Sequence, residues 1–69
     1  MSLRTLRESV GKTQSEVARV ASMTQPQLSR VEGRRDHLIS TVRKYVEALG
    51  GDVDVIARVD GRSIVLRDV

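Results

Sequence analysis

The apolar positions of this chain change period once, and the change divides the chain in two. From Leu3 to Leu49 they recur at three and four: Leu3, Leu6 and Val10, then Val17, Ala18 and Ala21, then Leu28 and Val31, then Ile39, Val42, Val46 and Leu49. That is the spacing of four amphipathic helices. After Gly51 the period becomes two, with Val53, Val55, Ala57 and Val59 alternating with Asp54, Ile56 and Arg58, the pattern of a strand. Asp60-Gly61 is a strong signal for a two-residue hairpin turn, which pairs Val59 with Arg62, Ala57 with Ile64, Val55 with Leu66 and Asp54 with Arg67. The expected architecture is mainly α with a small β element. It places helices at about 3–10, 14–21, 25–32 and 39–49 and a hairpin at about 53–59 and 62–68, all in one domain of residues 1–69. One hairpin face, with Val55, Ala57, Ile64 and Leu66, is placed to cover the helices. The other sets Ile56 and Val65 between Asp54 and Arg67 and is too apolar for plain solvent.

The helix boundaries have chemical reasons. Gly11 is placed to cap the end of the first helix, and Gly50-Gly51 to stop the fourth. Thr13 and Glu16 form a capping box, in which the Thr hydroxyl takes an orphan helix N–H and the Glu reaches back to the cap. Thr24 caps the third helix, Pro26 falls in its first turn, where a missing N–H is harmless, and Gly33 is free to close it in the left-handed conformation. Ala18 leaves room for a close helix crossing. Residues 13–33 therefore have the shape of two short helices joined by a tight turn. Gln25, Gln27, Ser29 and Arg30 remain on the outside of the second. Gln bonds adenine bidentately and Arg does so with guanine O6 and N7, so Gln25, Gln27 and Arg30 suit major-groove reading. Ser29 has three available partners: a base, a phosphate or its own helix backbone.

The stretch TQSEVARVASMTQPQLSRVEG, with its TQ opening and S-R-hydrophobic-E ending, resembles the Cro/C1-type (XRE) helix-turn-helix family. The remainder, TVRKYVEALGGDVDVIARVDGRSIVLRDV, is similar to the ending of HigA-type antitoxins, where a fourth helix ending in ALGG runs into a short hairpin. The resemblance implies double-stranded DNA as partner, a dimer, and a backbone-clamping role for Gln14. Two positions depart from the family pattern. Ser22 stands where Gly is usual, and is strained if left-handed. Leu38 stands where a capping Ser is usual, leaving Asp36 as the expected cap.

Composition narrows the alternatives. Sixty-nine residues without cysteine form a domain small enough to need a staple, and oligomerisation is the one left. The lone histidine, His37, has only Asp36 beside it, so neither a metal nor a cofactor is expected. Tyr45, the only aromatic residue, reads as a core-edge ring. Asp52, Asp54 and Asp60 are spaced for turns and strand edges, so no catalytic site assembles and no enzyme is expected. With no membrane-spanning run and no signal segment, the expected location is the cytoplasm. Residues 1–51 hold nine Lys or Arg against five acids, while residues 52–69 hold three against four. The basic surplus thus lies with the helices, where phosphate neutralisation would use it. Arg34 and Arg35, which follow the third helix, and Thr13, Gln14 and Thr24 at helix starts are the candidate phosphate contacts.

A hairpin with free edges invites pairing with another chain. Val53, Val55, Ile56, Ile64, Val65 and Leu66 are the expected interface of a homodimer joined across a twofold axis. The expected function is a sequence-specific transcriptional repressor binding an inverted-repeat operator. Within that function, the resemblance implies an autorepressing antitoxin of a HigBA-like toxin-antitoxin operon. The competing expectations are a module that mainly neutralises a RelE-like toxin, and a solitary phage-type repressor. Only Met1 and Ser2 precede the first helix, which speaks against a dedicated neutralising arm.

Overall fold

The chain folds, in a computed structural model of residues 1–69, as four short helices and a hairpin: α1 (Leu3–Ser9), α2 (Gln14–Val20), α3 (Gln25–Gly33), α4 (Ile39–Ala48), β1 (Val55–Val59) and β2 (Arg62–Leu66). Three of the four helix starts are capped by hydroxyls. Ser2 accepts from the Thr5 amide, Thr13 from that of Glu16 and Thr24 from that of Gln27, the last two within complete capping boxes. The fourth start is different. α4 begins at Leu38 with no side-chain cap, and Asp36 does not fill the role expected of it. The chain enters α4 through an extended Leu38, whose carbonyl oxygen itself takes the amides of Thr41 and Val42.

Three helix ends share one solution. The Lys12, Met23 and Gly51 amides reach back to the carbonyls of Arg7, Ala18 and Val46 at 3.2, 2.9 and 3.1 Å, around left-handed Gly11, Ser22 and Gly50. Val10, Ala21 and Leu49 are therefore C-caps, one residue outside the helices in which sequence had placed them. At the end of α3 the expected left-handed glycine does not form. Gly33 stays helical and Arg34 leaves extended, because the His37 ring hydrogen-bonds the Val31 carbonyl and satisfies a helix end by a side chain instead.

The core is small. Val17, Ala18, Ala21, Leu28 and Tyr45 are 4 % exposed or less, with Leu3, Met23, Val31, Ala48 and Leu49 packed against them. α2 lies centrally, against both α3 and α4. Val10 and Ile39, expected inside, are exposed, while Arg7 and Tyr45 are buried in their stead. Tyr45 is no core-edge ring, since none of it is exposed. It sits one turn after Thr41 and one turn before Leu49, on the face of α4 turned inward.

The hairpin keeps the expected register, Val59 opposite Arg62, Ala57 opposite Ile64 and Val55 opposite Leu66. Asp60 and Gly61 both have positive φ, +51° and +74°, as a type I′ turn requires. The ladder stops at Val55 and Leu66, so the Asp54–Arg67 pair lies beyond it. The expected packing of one face on the helices is not seen. β2 is exposed along its whole length, Ile64 and Leu66 included, and the longest dimension is 42 Å against 21 and 19 Å. The hairpin is tethered near its base, where the Arg43 guanidinium donates to the Val53 carbonyl at 3.1 Å.

Candidate nucleic-acid interface

α3 turns its apolar side, Leu28 and Val31, toward α2 and α4. Helical spacing then puts Pro26, Ser29, Arg30 and Gly33 in one outward stripe, flanked by Gln25 on one side and Gln27 and Arg34 on the other. All seven of these residues are exposed. The one acid of α3, Glu32, lies on the inward side with its side chain 4 % exposed. The outer face therefore presents amides, a hydroxyl and guanidinium groups, and no negative charge.

Where Glu32 points, the four helices are tied together. One carboxylate oxygen accepts from Arg7 Nε of α1 at 2.7 Å and from the Tyr45 hydroxyl of α4 at 2.6 Å. The other accepts from Gln14 Nε2 of α2 at 3.0 Å and Arg7 Nη2 at 3.3 Å. Arg7 Nη1 also donates to the Lys12 carbonyl, at 2.9 Å, in the turn before α2. Burial opposes ionisation of Glu32, but the hydrogen bonds from Arg7, Tyr45 and Gln14, with the charge of Arg7, outweigh it and hold the carboxyl below its ordinary range. The same pairing raises Arg7 further above its usual value. Burial first, then the bond to Glu32, pushes the Tyr45 phenol well up.

This hub fixes Gln14, the expected backbone clamp, at the first position of α2. One of its amide protons goes to Glu32 and the other is left for a partner. Thr13 and Thr24 are more fully used. The Thr13 amide donates to Glu16 at 3.1 Å and the Thr24 amide to Gln27 Oε1 at 2.8 Å, so both cap sites are filled from within the chain. The bond from the Thr13 backbone is the main reason the Glu16 carboxyl lies low, and its charge stands over the start of α2. Gln27, expected to read bases, has its carbonyl oxygen turned back to that cap. Only its NH2 group remains free.

On the α4 side of α3 runs an open groove lined by Ser22, Met23, Gln27, Arg30, Arg34 and Lys44. Arg35 lies outside it, in the polar loop with Asp36 and the half-buried His37. Between α2 and α3 the turn holds Ser22 at φ +56°.

A family model described as a helix-turn-helix domain matches residues 2–59, most of the chain. The chain belongs to the helix-turn-helix family. It is also similar to a protein of Mycobacterium tuberculosis designated antitoxin HigA2, with 36 % identity over 66 residues. That match takes in 93 % of this chain and 65 % of the relative, so this helix-turn-helix chain spans a little under two thirds of the relative's length. Among solved structures it superposes on a HigA antitoxin described as bending DNA through a unique dimerisation. The TM-score there is 0.88 and the identity 26 %, over 94 % of this chain and 90 % of the other. A DNA-bound antitoxin, HigA3, gives a TM-score of 0.91 and 25 % identity, covering 100 % and 92 %.

Of the residues singled out from sequence, Gln25, Ser29 and Arg30 share one exposed surface of α3, with Gln14 beside its inward flank. Thr13 and Thr24 are caps. Gln27 and Arg34 line the groove, and Arg35 is apart. Sequence reasoning passed over Pro26 and Gly33 on the outer stripe, Lys44 across the groove, and the Arg7–Glu32–Tyr45 hub. The signal for the hub was present: Arg7 lies four residues after Leu3, and Glu32 four after Leu28, each a charge on an apolar stripe.

Proposed function

We propose that this chain is a dimeric, sequence-specific DNA-binding repressor of HigA type, which as an antitoxin shuts off its own operon. The observation that carries the proposal is the outer face of α3. It is capped, fixed from behind by the Glu32 hub, and free of acid, and it presents Gln25, Ser29 and Arg30 together. Such a helix enters the major groove, about 12 Å wide, as a body about 10–12 Å across. Gln25 and Arg30 then take base edges while Gln14, held by Glu32, keeps one N–H for a phosphate. The likeness to a DNA-bound HigA3 and to a HigA antitoxin that bends DNA supports the same reading.

Surface area supports the dimer. A compact monomer of 7.7 kDa exposes about 4,300 Å² by the usual scaling, whereas this chain exposes 5337 Å². The excess, about 1,000 Å², is the size of one partner's share of a standard interface. Much of it is apolar hairpin, with Ile56, Ile64, Val65 and Leu66 all exposed and Val53 and Val55 half-buried at its base. Pairing two hairpins across a twofold axis covers an open edge of each and joins their apolar faces into one larger sheet. A dimer of this kind reads an inverted repeat whose half-sites lie about 34 Å apart.

Selection of duplexes from a random pool tests the proposal. Enrichment of an inverted repeat, bound with a steep salt dependence, is the expected result. No enriched sequence together with a flat salt dependence overturns it.

A further inference from the structure

We propose that Lys44, on the far wall of the groove beside α3, holds the sugar-phosphate strand that borders the major groove on the α4 side. This rests on the DNA-reading role of α3 and adds a residue to it. Arg30 and Arg34 line the groove from α3 and Lys44 lines it from α4, so two helices contribute cations to one channel. None of the three has a carboxylate within ion-pair distance, since the chain's ion pairs are Arg4–Glu8 and Arg7–Glu32. Unpaired like charges that converge on one channel repel one another, and an anion laid along it relieves the repulsion.

The geometry identifies the anion. A helix that fills the major groove meets a phosphate strand on each flank. On the α2 flank the contact is Gln14, aimed by Glu32. On the α4 flank the wall is Gln27, Arg30 and Arg34, with Lys44 opposite; Arg30, on the outer stripe, is the base reader, which leaves Arg34 and Lys44 for the strand. Lys44 is exposed and belongs to α4, not to the helix that reads bases. As a flexible point charge it suits a phosphate oxygen better than a base. Its contribution is affinity and register, without sequence choice.

The experiment uses the enriched duplex and the full chain. Lys44→Ala is expected to weaken binding about 3- to 10-fold near physiological salt and to lower the slope of log affinity against log salt by about 0.9, one phosphate's worth. It leaves the enriched sequence and the melting temperature unchanged. Lys44→Arg restores affinity and slope, and Arg4→Ala, remote on α1, changes neither. Should Lys44→Ala keep the wild-type slope and affinity while Arg30→Ala still relaxes the preferred sequence, the phosphate role of Lys44 is wrong and the reading by α3 stands. A wild-type chain that enriches no duplex removes both.

Discussion

Replacing Glu32 by Gln tests the hub directly. The substitution keeps the shape and removes the charge, leaving Arg7, 9 % exposed at its side chain, without a counter-ion. It also creates a mismatch whichever way the new amide turns. One carboxylate oxygen receives Arg7 and Tyr45, the other Arg7 and Gln14, so the incoming NH2 faces two donors in either orientation. The cheaper orientation faces Gln14, which can turn its own carbonyl inward. Breaking a buried ion pair by removing one partner costs about 3–5 kcal/mol, and the acceptor that survives reduces this to about 2–4. A domain of this size has a total stability of about 3–10 kcal/mol, so the variant is expected to lose a fifth of it or more. Denaturant unfolding followed by circular dichroism, at fixed protein concentration, measures the loss. The double variant Arg7→Met/Glu32→Leu should recover to within about 1 kcal/mol of wild type, because apolar pairs of similar volume replace buried ion pairs well. Tyr45 then keeps the Leu3 carbonyl, at 3.2 Å, as its acceptor. A Glu32→Gln midpoint equal to wild type, or a double variant as weak as the single, would refute the reasoning.

Four other outcomes are expected. Ser22→Gly relieves a left-handed non-glycine residue and should raise stability by about 0.5–1 kcal/mol in the same unfolding assay. Gly33→Ala adds a methyl that meets no atom within 4 Å and should stabilise α3 by about 0.5 kcal/mol, yet weaken duplex binding because the methyl lies on the outer stripe; unchanged affinity removes Gly33 from the interface. The Glu32 carboxyl lies lower in the folded chain than unfolded, so its contribution to stability is complete above its unfolded pKa of about 4.3 and is lost as pH falls below that, whereas Tyr45, raised on folding, loses its contribution as pH climbs above about 10. Melting temperatures across pH check both arms, and Tyr45→Phe should abolish the alkaline one. Arg30→Ala should relax preference at one base pair by about 1–3 kcal/mol, whereas Arg35→Ala lowers affinity for every sequence alike, both read by competition between duplexes.

The helix starts were legible because capping is local: Thr13 with Glu16, and Thr24 with Pro26, lie within four residues of each other. The hairpin register was legible for the same reason, since Asp60-Gly61 dictates it. What sequence could not show depends on contacts between distant positions. Arg7 and Glu32 show in sequence as charges on apolar stripes and Tyr45 as an edge ring, but that they meet one another appears only when the fold brings them together across 25 and 13 positions. The Asp36 cap failed because the loop runs on to Leu38. The hairpin's expected cover of the helices is a long-range packing that its alternation cannot dictate: Val55 and Ala57 are half-buried, and β2 is exposed throughout. Gln27 illustrates a competition that composition cannot decide. The same carboxamide that suits adenine also suits the Thr24 cap, and in the free chain the cap takes its oxygen.

The hub also explains why stability and recognition are hard to separate in so small a protein. With five buried apolar residues, packing gives α3 little angular preference of its own. A charged hub fixes its rotation, because shifting the helix by one residue turns Glu32 by about 100° away from Arg7, Tyr45 and Gln14 together. The same rotation sets which side chains face outward, and it takes the only acid of α3 away from the outer face. An apolar replacement of the pair restores energy but not this angular preference, nor the aim of Gln14. Arg7→Met/Glu32→Leu should therefore melt like wild type and still bind its duplex more weakly, with the salt slope unchanged because Gln14 is neutral and releases no counterion. A double variant that binds with the wild-type affinity would show that packing alone orients α3.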